Sequence, residues 1–426
     1  TLTKASIATS LLGLVVAGVL CFALYYYAPA MLGMQTGRTL YIVGTSTFGT
    51  TGGYLMPGLL MGVLQIGWFA VATYFATEYI MMGVSASLPK VLQGFFVSPS
   101  SVEHVMSGFR YHYKLIFAII AIEWAYSLAW VAIKGIAHVA RMAQILNWVP
   151  LAMIVLVFAA NSGGLRSYRP PDTLDNAGGF LMMLAIVIGF FATAGAAGAD
   201  FGMNNRNRGD VVWGGLIGIA LAVVVAGGLP VLAVAGHLGL TSAALTPANL
   251  DFSAAVSQVG ALASAIFFLF AAASVAPTCF CTFIASNSFA TMLPKVPRSL
   301  STVLAVTVGM LLAVTGVAQN LIGFFTIVGA SFGPICGAMA ADYLLEGGRW
   351  SGPRQGISWA GYISWALGFL LGVLPQIPGV PDSLVALDRP APLVSFVAGF
   401  VVYWLLAKAG LRPAVVSESQ GMATRV

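Results

Sequence analysis

The chain has 426 residues, 59% of them hydrophobic and only 8% charged. Soluble domains carry roughly a quarter charged residues, so a water-soluble enzyme or binding module is excluded and an all-α polytopic membrane protein is expected. The formal charge of +6 contains no basic run longer than two residues. It therefore reads as an orientation signal in loops and not as a nucleic-acid footprint.

Long uncharged apolar runs recur from end to end, each near the ~20 residues a spanning helix needs. Eleven spans are predicted. The first six are Ala5–Leu32, Tyr54–Met82, Leu115–Ile133, Ile145–Ala160, Gly178–Ala199 and Val211–Ala235. The last five are Ala254–Leu293, Leu300–Val317, Leu321–Leu345, Ile357–Leu374 and Leu393–Leu406. The first run is too long for a cleavable signal peptide and lacks a cleavage pattern. An odd number of spans places the termini on opposite sides. Twelve of the nineteen Lys and Arg residues fall with the C-terminus and seven opposite, so the C-terminus is expected to be cytoplasmic and the N-terminus external. The loop Gly83–Tyr113 is expected to form a short external helix or lid. The polar tail after Gly410 is expected to be mobile.

In the second span, Gln65 and Trp68 lie three residues apart and share a helical face. An amide and an indole together suit a small, planar, polar heterocycle. Glu123, in Ile122-Glu123-Trp124, is read as the only carboxylate deep inside a span. Such a charge is costly and marks either a functional path or a paired structural group, so it is a candidate for proton coupling. The fifth span contains Gly189-Phe190-Phe191-Ala192-Thr193-Ala194-Gly195, the seventh Ser274-Val275-Ala276-Pro277-Thr278-Cys279, and the ninth Gly329-Ala330-Ser331-Phe332-Gly333-Pro334. Glycine also serves close helix packing, but three such breaks in one chain are typical of the discontinuous helices of transporters.

Asp200 and Asp342 sit at cytoplasmic helix ends, with Arg206 and Arg208 near the first, and are expected to cap or pair structurally. His138 and His237 are isolated. The four cysteines lie in apolar segments, and Cys279 and Cys281 face different directions, against a metal clip. No Walker sequence, zinc-protease signature or nucleophile elbow is present, so an ATP-driven pump or membrane hydrolase has no support.

Phe48-Gly49, Gln65-Ile66-Gly67-Trp68-Phe69, Gly198-Ala199-Asp200-Phe201 with Arg206 and Asn207, and Gly333-Pro334 leading to Ala341-Asp342-Tyr343 resemble the nucleobase–cation symporter family, which includes cytosine and hydantoin permeases. The resemblance covers essentially the whole chain. It implies the leucine-transporter fold, in which two inverted five-helix repeats are followed by two further helices. About eleven of the expected twelve helices are then visible, and the first span here falls on the family's second helix. The family's first helix is then missing from this chain, in agreement with the external N-terminus. Residues 1–345 would form the inverted-repeat core, 346–410 the two added helices and 411–426 a cytoplasmic tail.

By the same resemblance, Trp68 stacks on the substrate and Gln65 is a polar contact. Phe191 covers the other ring face, although the adjacent Phe190 leaves that register open by one residue. Gly189, Thr193 and Gly195 would let substrate approach unwound backbone. Cys279 stands where nucleobase-binding members carry asparagine, which argues against cytosine itself. Ser274 and the Ala271 carbonyl fall at the family's cation site.

The expected function is cation-coupled uptake of a nucleobase or related heterocycle, by Na⁺ or H⁺, with no other cofactor and with the Gly329–Pro334 break as external gate. The chain would act as a monomer or weak oligomer in a bacterial inner membrane, with the bilayer as its surroundings and no nucleic acid as partner. The alternatives are an amino-acid or amine transporter of the same fold, or a channel or membrane-embedded enzyme.

Overall fold

A computed structural model describes residues 1–89, 107–134, 148–246, 249–381 and 389–416, together with the isolated positions 92, 96, 141, 144, 146, 383 and 384. Side chains of residues 107–113 are outside the described set. Each predicted span is a helix: α1 Ile7–Thr36, α2 Tyr54–Ser87, α3 Ser107–Ile133, α4 Trp148–Arg166, α5 Asn176–Ala196, α6 Arg208–Thr241, α7 Gly260–Met292, α8 Arg298–Val314, α9 Leu321–Leu345, α10 Trp359–Val373 and α11 Ala391–Lys408. Among the described residues nine are long and apolar enough to cross a bilayer; α8 and α10 are shorter, at 17 and 15 residues. No sheet forms among the described residues, where the sole β-type pairing is an isolated bridge between Arg354 and Val415.

All-helical spans follow from the solvent, because lipid offers no partner to a free backbone group and a helix satisfies its own. With lipid as apolar as leucine, the helices associate through close packing of small residues. The contact of α9 with α11 shows this most directly. A Cβ added at Gly337 would collide with the backbone of Phe396, and one at Gly399 with that of Pro334.

The largest core cluster joins α1, α5, α9 and α11 through Tyr25, Ile188, Phe332, Met339 and Tyr403. A second joins α4, α6 and α7 through Val157, Val234, Leu238 and Phe267. Between them α2 packs on α3 and α8 through Phe69, Ala125 and Val306. Most of the loop expected over Gly83–Tyr113 lies outside the described residues, but Gly83–Ser87 extend α2 and α3 begins at Ser107. Ile145, at the expected start of the fourth span, and His138 also lie outside them.

The end of the bundle holding Asp342 carries a buried ion network. Arg354, 6% exposed, reaches Glu346 at 2.9 Å and Asp342 at 3.8 Å, and donates through Nε to the Ser46 carbonyl at 2.9 Å. Arg412 reaches Glu346 at 2.7 Å and Asp342 at 3.3 Å, and the Tyr403 hydroxyl donates to Asp342 at 2.8 Å. Two acids thus face two guanidinium groups, and Asp342 also accepts from the Thr47 hydroxyl at 3.4 Å. The expected mobility of the tail is corrected for residues 411–416. Arg412 is tied into this network, Val416 donates to the Pro353 carbonyl, and the Gln355 amide donates to Ala414. Residues 417–426 are outside the described set.

Truncating one member of a buried ion network leaves a charge without compensation, at about 3–5 kcal/mol. Arg354→Ala is therefore expected to lower thermal stability in detergent sharply, and Arg354→Lys to recover part of it. Unfolding temperatures measured by intrinsic fluorescence check this, and equal values for wild type and Arg354→Ala would refute it.

Candidate substrate site

Gln65 and Trp68 lie on the inner face of α2. Gln65 is 5% exposed, its Nε2 lies 3.5 Å from the Met61 sulfur, and its Oε1 has no hydrogen-bond partner. A thioether is a weak acceptor, so this amide is desolvated and nearly unused. The Trp68 indole donates through Nε1 to the Thr193 hydroxyl on α5 at 3.0 Å. Three phenylalanines surround its ring. Phe325 is stacked on it (5.6 Å, 29°), while Phe190 (5.0 Å, 86°) and Phe324 (5.1 Å, 80°) meet it edge-on. These are favoured aromatic geometries.

The ring on α5 beside Trp68 is therefore Phe190, and the expectation for Phe191 is corrected by one residue. Thr193 faces Trp68, and the residue three positions earlier on the same helix face is Phe190. Phe191 turns instead toward Gly195 and the large core. The unwinding expected at Gly189, Thr193 and Gly195 is also corrected. All three are helical, and α5 ends only at Ala196, before the one-turn helix Gly198–Gly202. Gly189 and Gly195 act as packing positions, admitting the Phe325 carbonyl and the Tyr25 side chain respectively.

Cys279 is fully buried against α3, its sulfur 3.9 Å from the Leu128 carbonyl and its neighbours including Trp124. It does not face Gln65 and Trp68, so the argument against cytosine built on it loses its basis. The side of α7 turned to the interior carries Asn287 and Ser288. With Pro57 and Met61 of α2 and with Asp200 and Asn204, they line a cavity of about 480 Å³. Asn287 was missed in the sequence, although an amide in an otherwise apolar run is the same kind of signal that singled out Gln65. The cavity reaches Met61, one turn from Gln65, whereas the phenylalanine nest closes the opposite side of Trp68.

Ser274 donates its hydroxyl to the Phe270 carbonyl at 3.1 Å and its amide to the Ala271 carbonyl at 3.0 Å. Both oxygens keep lone pairs, and Pro277 has no N–H to offer the Ala273 carbonyl. Among the described residues no group of three or more His, Cys, Asp or Glu could hold a metal. Glu123 lies on the exposed surface of α3, beside Ile119, Ile122 and Tyr126, and does not line the cavity. A carboxylate that is buried in a span, besides Asp342, is Glu78, 8% exposed, which accepts from the Tyr74 hydroxyl at 3.3 Å.

Asp200, just past the end of α5, accepts weakly from the Leu40 amide at 3.4 Å. It does not pair with Arg206, which pairs with Asp210 at 3.0 Å. Burial pushes the Asp200 carboxyl up to about 6, opposed by the backbone amides of Leu40 and of Asp200 itself.

Fold and candidate site together define an all-helical, multi-span membrane protein with a cavity among its spans. Residues 8–382 match the family of permeases for cytosine/purines, uracil, thiamine and allantoin, and the chain belongs to that family. The cytosine permease of Escherichia coli strain K12 is 26% identical over 381 residues, covering 86% of this chain and 78% of the permease, and the O157:H7 protein matches over the same lengths. Among solved structures, Mhp1, a nucleobase-cation-symport-1 family transporter, matches in a closed conformation with bromovinylhydantoin bound. The TM-score is 0.70 at 17% identity, over 99% of this chain and 90% of Mhp1. Its inward-facing conformation gives the same TM-score at 15% identity, over 99% and 88%.

A carboxyl raised in the folded state favours folding while protonated. That contribution is complete below 3.8 and is lost as pH rises through about 6, by roughly 3 kcal/mol. Asp200→Asn is expected to flatten this decline and to exceed wild type in stability at pH 7. Thermal unfolding between pH 4 and 7 checks it, and parallel profiles for the two proteins would contradict it.

Proposed function

We propose that this nucleobase-type secondary transporter takes up a nucleobase or related small planar heterocycle by alternating access, driven by Na⁺ or H⁺. The observation that carries the reading is the buried Gln65 Oε1 without a partner, one helical turn from an indole fixed by Thr193. A buried acceptor left open costs about 1–3 kcal/mol, and a ring N–H from substrate would relieve that cost. Asn287 supplies a second amide at the cavity wall. A cavity of this size falls within the ordinary range for small-ligand sites.

In the alternating-access cycle the ring nest and the cavity are two ends of one path. Phe325 covers the indole face that a heterocycle would use, so the outward step moves the start of α9 away from Trp68. Gly329, Gly333 and Pro334 follow Phe325 on α9 and weaken the helix where such a bend falls. The bias of basic residues supports a cytoplasmic C-terminus, which makes the nest external and the cavity cytoplasmic. Residues 1–345 would then be the transport core and 346–410 the two added helices.

Na⁺ coupling finds oxygens at Ser274, Ala271 and the Ala273 carbonyl released by Pro277. Proton coupling through Glu123 has its exposed position against it, and Glu123→Gln is expected to leave the pH dependence of uptake unchanged. A shift of the profile by this substitution would restore the role.

Radiolabelled uptake by the full-length transporter, against purines, pyrimidines, hydantoins and vitamins with and without Na⁺, tests the function. Accumulation of an amino acid and of no ring compound would overturn it. Stacking on an aromatic side chain is worth ~1–3 kcal/mol, so Trp68→Ala is expected to raise KM for the accumulated substrate about 10- to 100-fold, with Trp68→Phe intermediate. An unchanged KM in Trp68→Ala would remove the indole from the site.

A further inference from the structure

A second cavity, of about 250 Å³, opens on the outer side of α5 and α9, behind the ring nest. Leu181, Met182, Ala185 and Ile186 form one wall, and this spacing keeps them on one face of α5. Ile322 and Phe325 of α9 form the other. The trough runs from Gly178, in the first turn of α5, to Ile186, roughly 12 Å at the helical rise. Its α5 and α9 side chains are half-buried or, at Ile322, 59% exposed, so the trough lies open along the outer surface of these two spans.

One end differs from the rest. Lys4, three residues before α1, and Arg389, two before α11, both line the trough and are exposed; the Lys4 carbonyl accepts from the Asp175 amide, next to the start of α5. Neither takes part in an ion pair among the described residues. No acidic residue lines the cavity; the nearby Asp175 carboxylate is engaged in capping the Gly178 amide at 2.8 Å. Thr326, also on the wall, turns its hydroxyl to the Ile322 carbonyl. The trough is thus walled by apolar side chains of α5 and α9, and the charged side chains that line it are both cations, near the starts of α1 and α11.

We propose that this trough binds an anionic phospholipid, its phosphate between Lys4 and Arg389 and one acyl chain along α5 against Phe325. The charge pattern selects this occupant. A neutral apolar molecule would leave two cations unmatched, and a free phosphate would leave the apolar wall uncovered. Basic pockets between spanning helices are an established form of headgroup recognition. The binding is independent of which substrate is carried. Its link to transport rests on the reading above, because Phe325 is the ring stacked on Trp68 and the lipid chain would press on its outer edge.

Native mass spectrometry of the full-length transporter, exchanged into detergent with phosphatidylglycerol or phosphatidylcholine, tests the proposal without any uptake assay. Wild type is expected to retain one phosphatidylglycerol and to lose it about tenfold more readily in the double variant Lys4→Gln/Arg389→Gln, whose side chains are exposed and not needed for packing. Ala185→Trp, which fills the trough and leaves the cations in place, is expected to displace the lipid as well. Equal retention by wild type and the double variant would overturn the proposal. So would displacement of the lipid by millimolar glycerol phosphate, which would make the site one for a free anion.

Discussion

The close approach of α9 to α5 and α11 is the contact on which the remaining geometry depends. It exists because glycine occupies each crossing. Gly189 admits the Phe325 carbonyl, Gly329 admits Pro392, and Gly337 admits the Phe396 backbone. The Tyr25 hydroxyl then donates to the Pro392 carbonyl at 2.6 Å, joining α1 to the start of α11. With α9 held this tightly, Phe324 and Phe325 project onto Trp68. A larger residue at Gly189 would move α9 outward and separate the rings before it changed anything else. The aromatic nest is therefore a consequence of backbone packing, and the position of Trp68 is fixed from outside its own helix.

The indole and the amide on α2 are held in opposite ways. Trp68 has a hydrogen-bond acceptor and three ring neighbours, so its surroundings are complete without any ligand. Gln65 has one weak contact and an open acceptor. In a low-dielectric interior an unpaired polar atom costs more than it would in water, whereas an aromatic face loses little by exchanging one ring for another. Substrate binding at this pair would therefore satisfy an open acceptor at Gln65, while at Trp68 it takes the stacking place of Phe325. Selectivity would then sit on the amide, and stacking and conformational coupling on the ring. That division follows from the contacts and needs no knowledge of which heterocycle is carried.

Much of the fold was legible because spanning length and apolarity are composition-level signals. All eleven predicted spans are helices, displaced by a few residues at their ends. Helical phase was less legible. Phe190 and Phe191 differ by 100° around α5, and both are apolar, so nothing local says which one faces Trp68; only the Thr193 contact decides it. Cys279 looks inward by position but packs on Leu128, because α7 is apolar nearly all round and its pattern does not mark the buried face. Glu123 and Glu78 were misjudged for a related reason. Depth along a span was readable, whereas exposure around it was not, and the carboxylate nearer the helix end proved to be the buried one. The tail was misjudged because Arg412 looks like an ordinary loop cation until α9 places Asp342 and Glu346 beside it.

The two ends of the bundle are built from different materials, and this sets which end can open at lower cost. Around Asp342 the closing contacts are charge pairs in a nearly dry setting, tied to the backbone at Ser46 and Pro413. Separating them would strand guanidinium and carboxylate groups unless water entered in step. Around Trp68 the closing contacts are rings, which can part and meet lipid or another ring with little electrostatic penalty. Yet the 480 Å³ cavity lies toward Asp200, on the side of the charges. It is bounded by α2, α7, the short Gly198–Gly202 helix and Thr39–Tyr41, whereas the Arg354 network closes on the Ser46 carbonyl, Glu346 and the tail. The network instead binds α9, the segment around Ser46 and the tail into one body, against which the start of α9 can bend.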